Sequence, residues 1–113
     1  MIFPADLRIE RSNLRTVVRL TGEIDLSNAG VLRRTIAESI SNQVIELVVD
    51  LGDVRYLDSA GIAMLFDLSR RLAEREQRLV VVVPSGSLIR RSLDASGWPP
   101  KFPMVESLGE ATE

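Results

Sequence analysis

The sequence contains no cysteine and no histidine, and these two absences remove much of the usual chemistry. Without cysteine there is no disulfide, thiol nucleophile or thiolate metal site. Without histidine there is no His-based triad, imidazole ligand or phosphohistidine. Lysine is nearly missing too: Lys101 stands alone, and the other basic residues are arginines spread along the chain without a patch. A formal net charge of −2 argues against nucleic acid as the main partner. No apolar run approaches the roughly 18 residues of a membrane span. The opening "MIFPADLRIE" lacks the basic start and long apolar stretch of a secretory signal. The expectation is a cytoplasmic protein with no membrane insertion.

What is present is ordinary globular composition. With 45% hydrophobic and 27% charged residues in 113, one core is the default. No linker, internal repeat or low-complexity segment divides the chain, so a single domain over residues 1–113 is expected. Periodicity maps its elements. Leu7 and Ile9 alternate with polar residues, and "NLRTVVRLTG" follows, which predicts two strands joined near Ser12 and Asn13, the second ending at Gly22. "LSNAGVLRRTIAESI" places Ala29, Leu32, Ile36 and Ile40 at helical spacing, with Ser27 as the N-cap. "VIELVVDL" is nearly continuous in apolar residues, as in a strand covered on both faces. A second helix starts near Ser59, with Ile62, Leu65, Phe66, Ser69 and Leu72 on its inner face. Met64 and Leu68 lie off that stripe, one turn apart, and either widen the core face or form part of a docking surface.

"RLVVVV" predicts another buried strand, closed by Pro84. In "SLIRRSLDAS" a third helix puts Leu88, Ile89, Ser92 and Leu93 on one face, with Gly97 as its C′ residue. "WPPKFP" reads as a rigid loop, Met104 and Val105 as a short last strand, and the tail from Ser107 as a weak helix. The order ββαβαβαβ(α) favours an α/β layer fold, a small mixed sheet packed against helices.

The stretch "VRYLDSAGIAML" changes from strand to helix at Asp58, Ser59, Ala60 and Gly61, and loops at the carboxyl ends of strands are where α/β proteins place their sites. Two readings stand. In one, Asp58 caps the helix, Ser59 is a small first-turn residue and Gly61 is a packing compromise. In the other, Ser59 is a phosphoacceptor, because a helix N-terminus with its unpaired N–H groups tolerates a phosphate. Glu23 and Asp25 likewise read either as solvated or capping acids after a strand end, or as two carboxylates on one side of an extended segment.

Taken in order, "TGEID" at the end of the second strand, "LDSAGIAML" opening the second helix and "LDASGW" closing the third resemble the STAS domain, and more closely the stand-alone bacterial anti-sigma factor antagonists. The resemblance covers almost the whole chain. It implies that Ser59 is phosphorylated by a partner that is both anti-sigma factor and serine kinase, and that Asp58 is the acidic neighbour of the phosphoacceptor. It also implies that Gly22, Glu23 and Asp25 form an acid loop close to that serine, and that the contact surface takes in Ala60, Gly61 and Met64. The implied activity is release of a sigma factor, ended by phosphorylation and restored by a phosphatase acting on phospho-Ser59. Such a chain catalyses nothing itself, needs no metal or cofactor, and is a monomer or weak homodimer; ATP and Mg²⁺ belong to the kinase. Two departures stand out. Ala60 stands where many relatives carry a hydroxyl, which leaves Ser59 as the only hydroxyl in the motif, and "REQRL" replaces a Gly-rich turn, which bears on the partner's footprint.

Two rivals differ in class. One is a receiver-type phosphoacceptor or carboxylate enzyme built on Asp50 at the end of "VIELVVD", weakened because no acidic pair follows the first strand and the lone lysine sits in the proline loop. The other is a non-switching STAS module serving a membrane transporter or a larger signalling assembly.

Overall fold

Alternating apolar and charged residues in "ADLRIERS" build an edge strand, β1 (Ala5–Ser12), in a computed structural model that describes residues 5–96 and 102–111. Leu7 and Ile9 lean on the core while Asp6, Arg8 and Glu10 face solvent; charges along an edge oppose strand-to-strand association. A two-residue turn, Asn13–Leu14, leads into β2 (Arg15–Ile24), which pairs antiparallel with β1. Then follow α1 (Ala29–Glu38), β3 (Glu46–Leu57), α2 (Ser59–Glu74), β4 (Arg78–Val82), α3 (Leu88–Ala95), β5 (Met104–Val105) and α4 (Leu108–Ala111). The sheet order is β1-β2-β3-β4-β5, with every pair after the first parallel. This is the α/β mixed sheet that the element order predicts, including the short final helix.

The first three helices cover one face of the sheet. Val18, Leu20, Leu47, Val49, Leu51, Leu79 and Val81 meet Leu32 and Ile36 of α1, Leu65, Leu68 and Leu72 of α2, and Ile89 and Leu93 of α3 in one buried cluster. On the other face Val48, Val80 and Val82 pack with Ala111 of α4, so β3 and β4 are apolar on both sides. Phe102 is buried, its ring 5.4 Å from that of Phe66 and tilted by 57°. Gly97 and most of the "WPPKFP" loop, residues 98–101, lie outside the described residues.

Several boundaries differ from the sequence-based ones. β2 does not end at Gly22; it continues through a bulge to Ile24, and Gly22 takes a φ of 91° there, a conformation that costs other residues strain. Likewise β3 runs on past Asp50, whose Oδ1 accepts the Gly52 N–H at 2.8 Å within the bent strand. Asp50 is therefore mid-strand, which removes the strand-end position that a receiver-type acceptor needs. Ser27 does not cap α1. Its N–H and hydroxyl both donate to Asp25 Oδ1, and Asn28 occupies the cap position.

At the start of the parallel strands, Glu46 is 4% exposed and sits between two arginines in register, Arg15 on β2 and Arg78 on β4. Arg15 Nε donates to its Oε1 at 2.8 Å and Arg78 Nε to its Oε2 at 2.7 Å. Across the helices Asp67 draws in Arg33 of α1 at 3.6 Å together with Arg70 and Arg71 of its own helix. Partial burial pushes the Asp67 carboxyl up, but hydrogen bonds from Arg70 and Arg71 outweigh it and hold it below the ordinary carboxylate value.

The turn after α2 forces Glu76 to a φ of 58°, where an L-residue other than glycine is disfavoured by about 1–2 kcal/mol. Here "REQRL" departs from a Gly-rich turn at a strain cost. Glu76→Gly is expected to raise stability by up to about 1 kcal/mol, read as a shift of the urea midpoint with unchanged slope. A lowered midpoint would mean that the Glu76 side chain holds the turn.

Candidate functional site

The carboxyl ends of β2 and β3 lie side by side, with Glu23 opposite Tyr56 and Ile24 opposite Leu57. Asp58 follows directly, with no intervening loop, and performs two tasks with one carboxylate. Oδ1 accepts the N–H groups of Ala60 at 2.9 Å and Gly61 at 3.1 Å, capping α2. Oδ2 accepts the Leu26 N–H at 3.1 Å, which pins the segment between β2 and α1 to the start of α2. The capping reading of Asp58 is thus realised, and it extends to a second element.

Ser59 is the first residue of α2 and is exposed; its hydroxyl makes no hydrogen bond among the described residues. A chemical group added to that oxygen meets solvent and the positive end of a helix dipole rather than the core. Ser59→Asp is accordingly expected to unfold within about 1 kcal/mol of the wild-type chain. Thermal unfolding checks this, and loss of a cooperative transition would show that Ser59 is structural.

The end of β2 and the turn after it are held by a residue that sequence reasoning passed over. Asn28 is 1% exposed, accepts the Asp25 N–H at 3.0 Å and donates to the Glu23 carbonyl at 2.9 Å. The signal for it was the Asp–Leu–Ser–Asn spacing, since Asp and Asn fold their own neighbouring backbone into turns. Glu23 is exposed, whereas Asp25 is half-buried with its carboxylate turned onto Ser27. The two acids therefore do not form a matched pair facing outward. Leu26, between them and Asn28, is 83% exposed, an apolar side chain beside the cap.

Ala60 is half-buried and packs on the core. Gly61 is buried; a Cβ there would come within 2.4 Å of the Leu57 side chain, so it lets the helix approach β3. Met64, 3% exposed, belongs to the core with Leu68. Neither Gly61 nor Met64 presents a side chain to a partner, and the core reading of Met64 holds. A helix that packs on a sheet and on a second helix buries an arc wider than one stripe.

The geometry is thus an exposed first-turn hydroxyl, a capping acid and a tethered segment after β2, together at one end of a mixed sheet. The STAS domain profile matches residues 6–111. The chain belongs to the STAS domain family. Its relatives include the anti-sigma-F factor antagonist RsfB of Mycobacterium tuberculosis, 32% identical over 95 residues that cover 84% of this chain and 76% of that protein. Among solved structures, an anti-sigma factor antagonist from Mycobacterium paratuberculosis superposes with a TM-score of 0.78 at 27% identity, covering 96% of this chain and 91% of that one. The anti-sigma factor antagonist SpoIIAA in its unphosphorylated form shares the fold at a TM-score of 0.76 and 23% identity, covering 95% and 93%. Among the described residues of this STAS chain, no helix is long and apolar enough to cross a membrane.

Proposed function

We propose that this STAS chain is an anti-sigma factor antagonist whose partner is an anti-sigma factor with serine kinase activity, and that phosphorylation of Ser59 switches it off. The observation that carries this reading is the exposed Ser59 hydroxyl on the first turn of α2, beside a carboxylate that caps the helix and ties down Leu26 in the segment after β2. Relatives named as antagonists of anti-sigma factors support the partner class. In this reading the unmodified face docks on the anti-sigma factor and frees a sigma factor. A phosphate adds about −1.5 to −2 charges next to Asp58 and breaks the complex. A phosphatase removes it. The kinase supplies ATP and Mg²⁺; the STAS chain is its substrate.

The test is to incubate the purified chain with each anti-sigma factor kinase of the host and ATP, map the modified residue by mass spectrometry, and measure binding before and after. Modification at Ser59 with loss of binding is the expected result. Binding to none of the kinases and no modification would favour a non-switching STAS module instead.

A further inference from the structure

Beyond Ser59, the surface continues into a groove between the end of β3 and α3. It has a volume of about 440 Å³. Its floor is Leu57 and Ile89, 4% and 3% exposed, and its walls carry Tyr56 and Leu88, 50% and 69% exposed. Its charged lining residues are Arg55 and Arg91, both exposed and neither in an ion pair among the described residues. Asp94 on α3 is already engaged by Arg90 at 3.5 Å.

A single exposed apolar residue on a protein surface is ordinary. Here two large ones share a groove with two uncompensated guanidinium groups, in a chain whose net charge is −2. Tyrosine and arginine are the residue types that dominate binding energy at interfaces. An arginine with no carboxylate of its own pairs readily, in bidentate fashion, with one brought by a partner. The groove begins at Leu57, two residues from Ser59, so a protein that reaches the serine also reaches the groove. Two arginines do not make the extended basic surface that nucleic acid requires.

We propose that this groove takes an acidic segment of the anti-sigma factor, with an apolar side chain seated between Tyr56 and Leu88 and flanking carboxylates on Arg55 and Arg91. This rests on the antagonist reading above and names the chemistry of the partner segment. The docking face is then bipartite in charge. The Glu23 side accepts basic groups of the partner and the α3 side accepts acidic ones, which fixes one orientation of docking.

The probe is the anti-sigma factor kinase that modifies Ser59. Arg55→Glu/Arg91→Glu is expected to weaken its binding at least about 30-fold, mostly through slower association, and to flatten the salt dependence. Leu88→Ser should lose about tenfold, because it removes apolar area that the partner covers. Arg11→Glu, an exposed charge reversal on β1, should change affinity less than about twofold. A second readout does not depend on charge reversal being tolerated. Because Lys101 is the sole lysine, Arg55→Lys introduces a new carbodiimide-reactive amine, and its cross-link should map to an Asp or Glu of the kinase. Wild-type binding with unchanged affinity in the double variant, or cross-links through Lys101 alone, overturns the groove proposal and leaves the antagonist reading intact. A change in self-association without a change in kinase affinity assigns the groove to a second copy and overturns it too. Failure of the wild-type chain to bind any kinase overturns the antagonist reading, and this inference with it.

Discussion

Asp58→Ala should lower the stability of the chain by about 2–3 kcal/mol and its melting temperature by about 8–15 °C, because three backbone N–H groups lose a charged acceptor at once. Two of them, on Ala60 and Gly61, begin α2; loss of an N-cap side chain costs about 0.5–2 kcal/mol. The third, on Leu26, belongs to a different segment, and an exposed N–H recovers part of its loss from water. Asp58→Asn separates the two tasks. Asparagine caps helices about as well as aspartate, but it offers one oxygen rather than two. The helix cap should survive while the tie to Leu26 is cut, with a stability loss of less than about 1 kcal/mol. Amide hydrogen exchange reads the difference. In Asp58→Asn the Leu26 amide should exchange faster while Ala60 and Gly61 keep their protection. Equal acceleration of all three would show that the cap and the tether are one unit.

Phosphorylation of Ser59 should cut affinity for the anti-sigma factor by a factor of about 10²–10³, while Ser59→Ala leaves it within about threefold. The exposed hydroxyl has no hydrogen bond among the described residues, so its removal takes away little. A phosphate instead brings bulk and about two negative charges into a surface that must shed water on docking, one residue from the Asp58 carboxylate. An uncompensated buried charge costs several kcal/mol, and each 1.4 kcal/mol is a factor of ten. Ser59→Asp has less charge and less bulk and should fall between the two. Calorimetry on the unmodified, phosphorylated, Ser59→Ala and Ser59→Asp chains with one purified partner gives the comparison. Equal affinities for the first two would rule out the switch.

The elements that sequence pattern exposed well are those in which a single periodicity controls a whole segment. Valine runs at Val48–Val49 and Val80–Val83 mark strands apolar on both faces, and the Asp58-Ser59 pair marks a helix start because an aspartate there satisfies unpaired N–H groups. The two misread strand ends share one physical cause, a residue that bends a strand without ending it. Gly22 and Gly52 look like turn signals, yet both lie in strands that keep pairing past a register shift, the extra residue each time being on β3. Tertiary contact explains the rest. Asn28 is buried as the anchor of a loop, Met64 is covered because α2 packs on more than one neighbour, and Leu88 is bare because it opens a helix at the rim of a groove. Nothing in residue order announces Arg55 and Arg91 as neighbours; the packing of α3 beside β3 makes them so.

The Arg15–Glu46–Arg78 row has a consequence for how the sheet finds itself during folding. On that face the strands read Arg-x-Val, Glu-x-Val and Arg-x-Val from their first residues. A one-residue slip turns apolar side chains to the wrong face and is rejected at once. A slip of two keeps every side chain on its proper face, so the alternation of faces alone cannot reject it. The carboxylate can. Displaced by two positions, Glu46 would lie against Val17 or Val80 and lose the guanidinium on that side, a heavy cost for a buried carboxylate held from both sides. The ion row therefore acts as a proofreading key for strand alignment. It places the far ends of β2 and β3, and with them Glu23 and Asp58, at the same height in every molecule that folds.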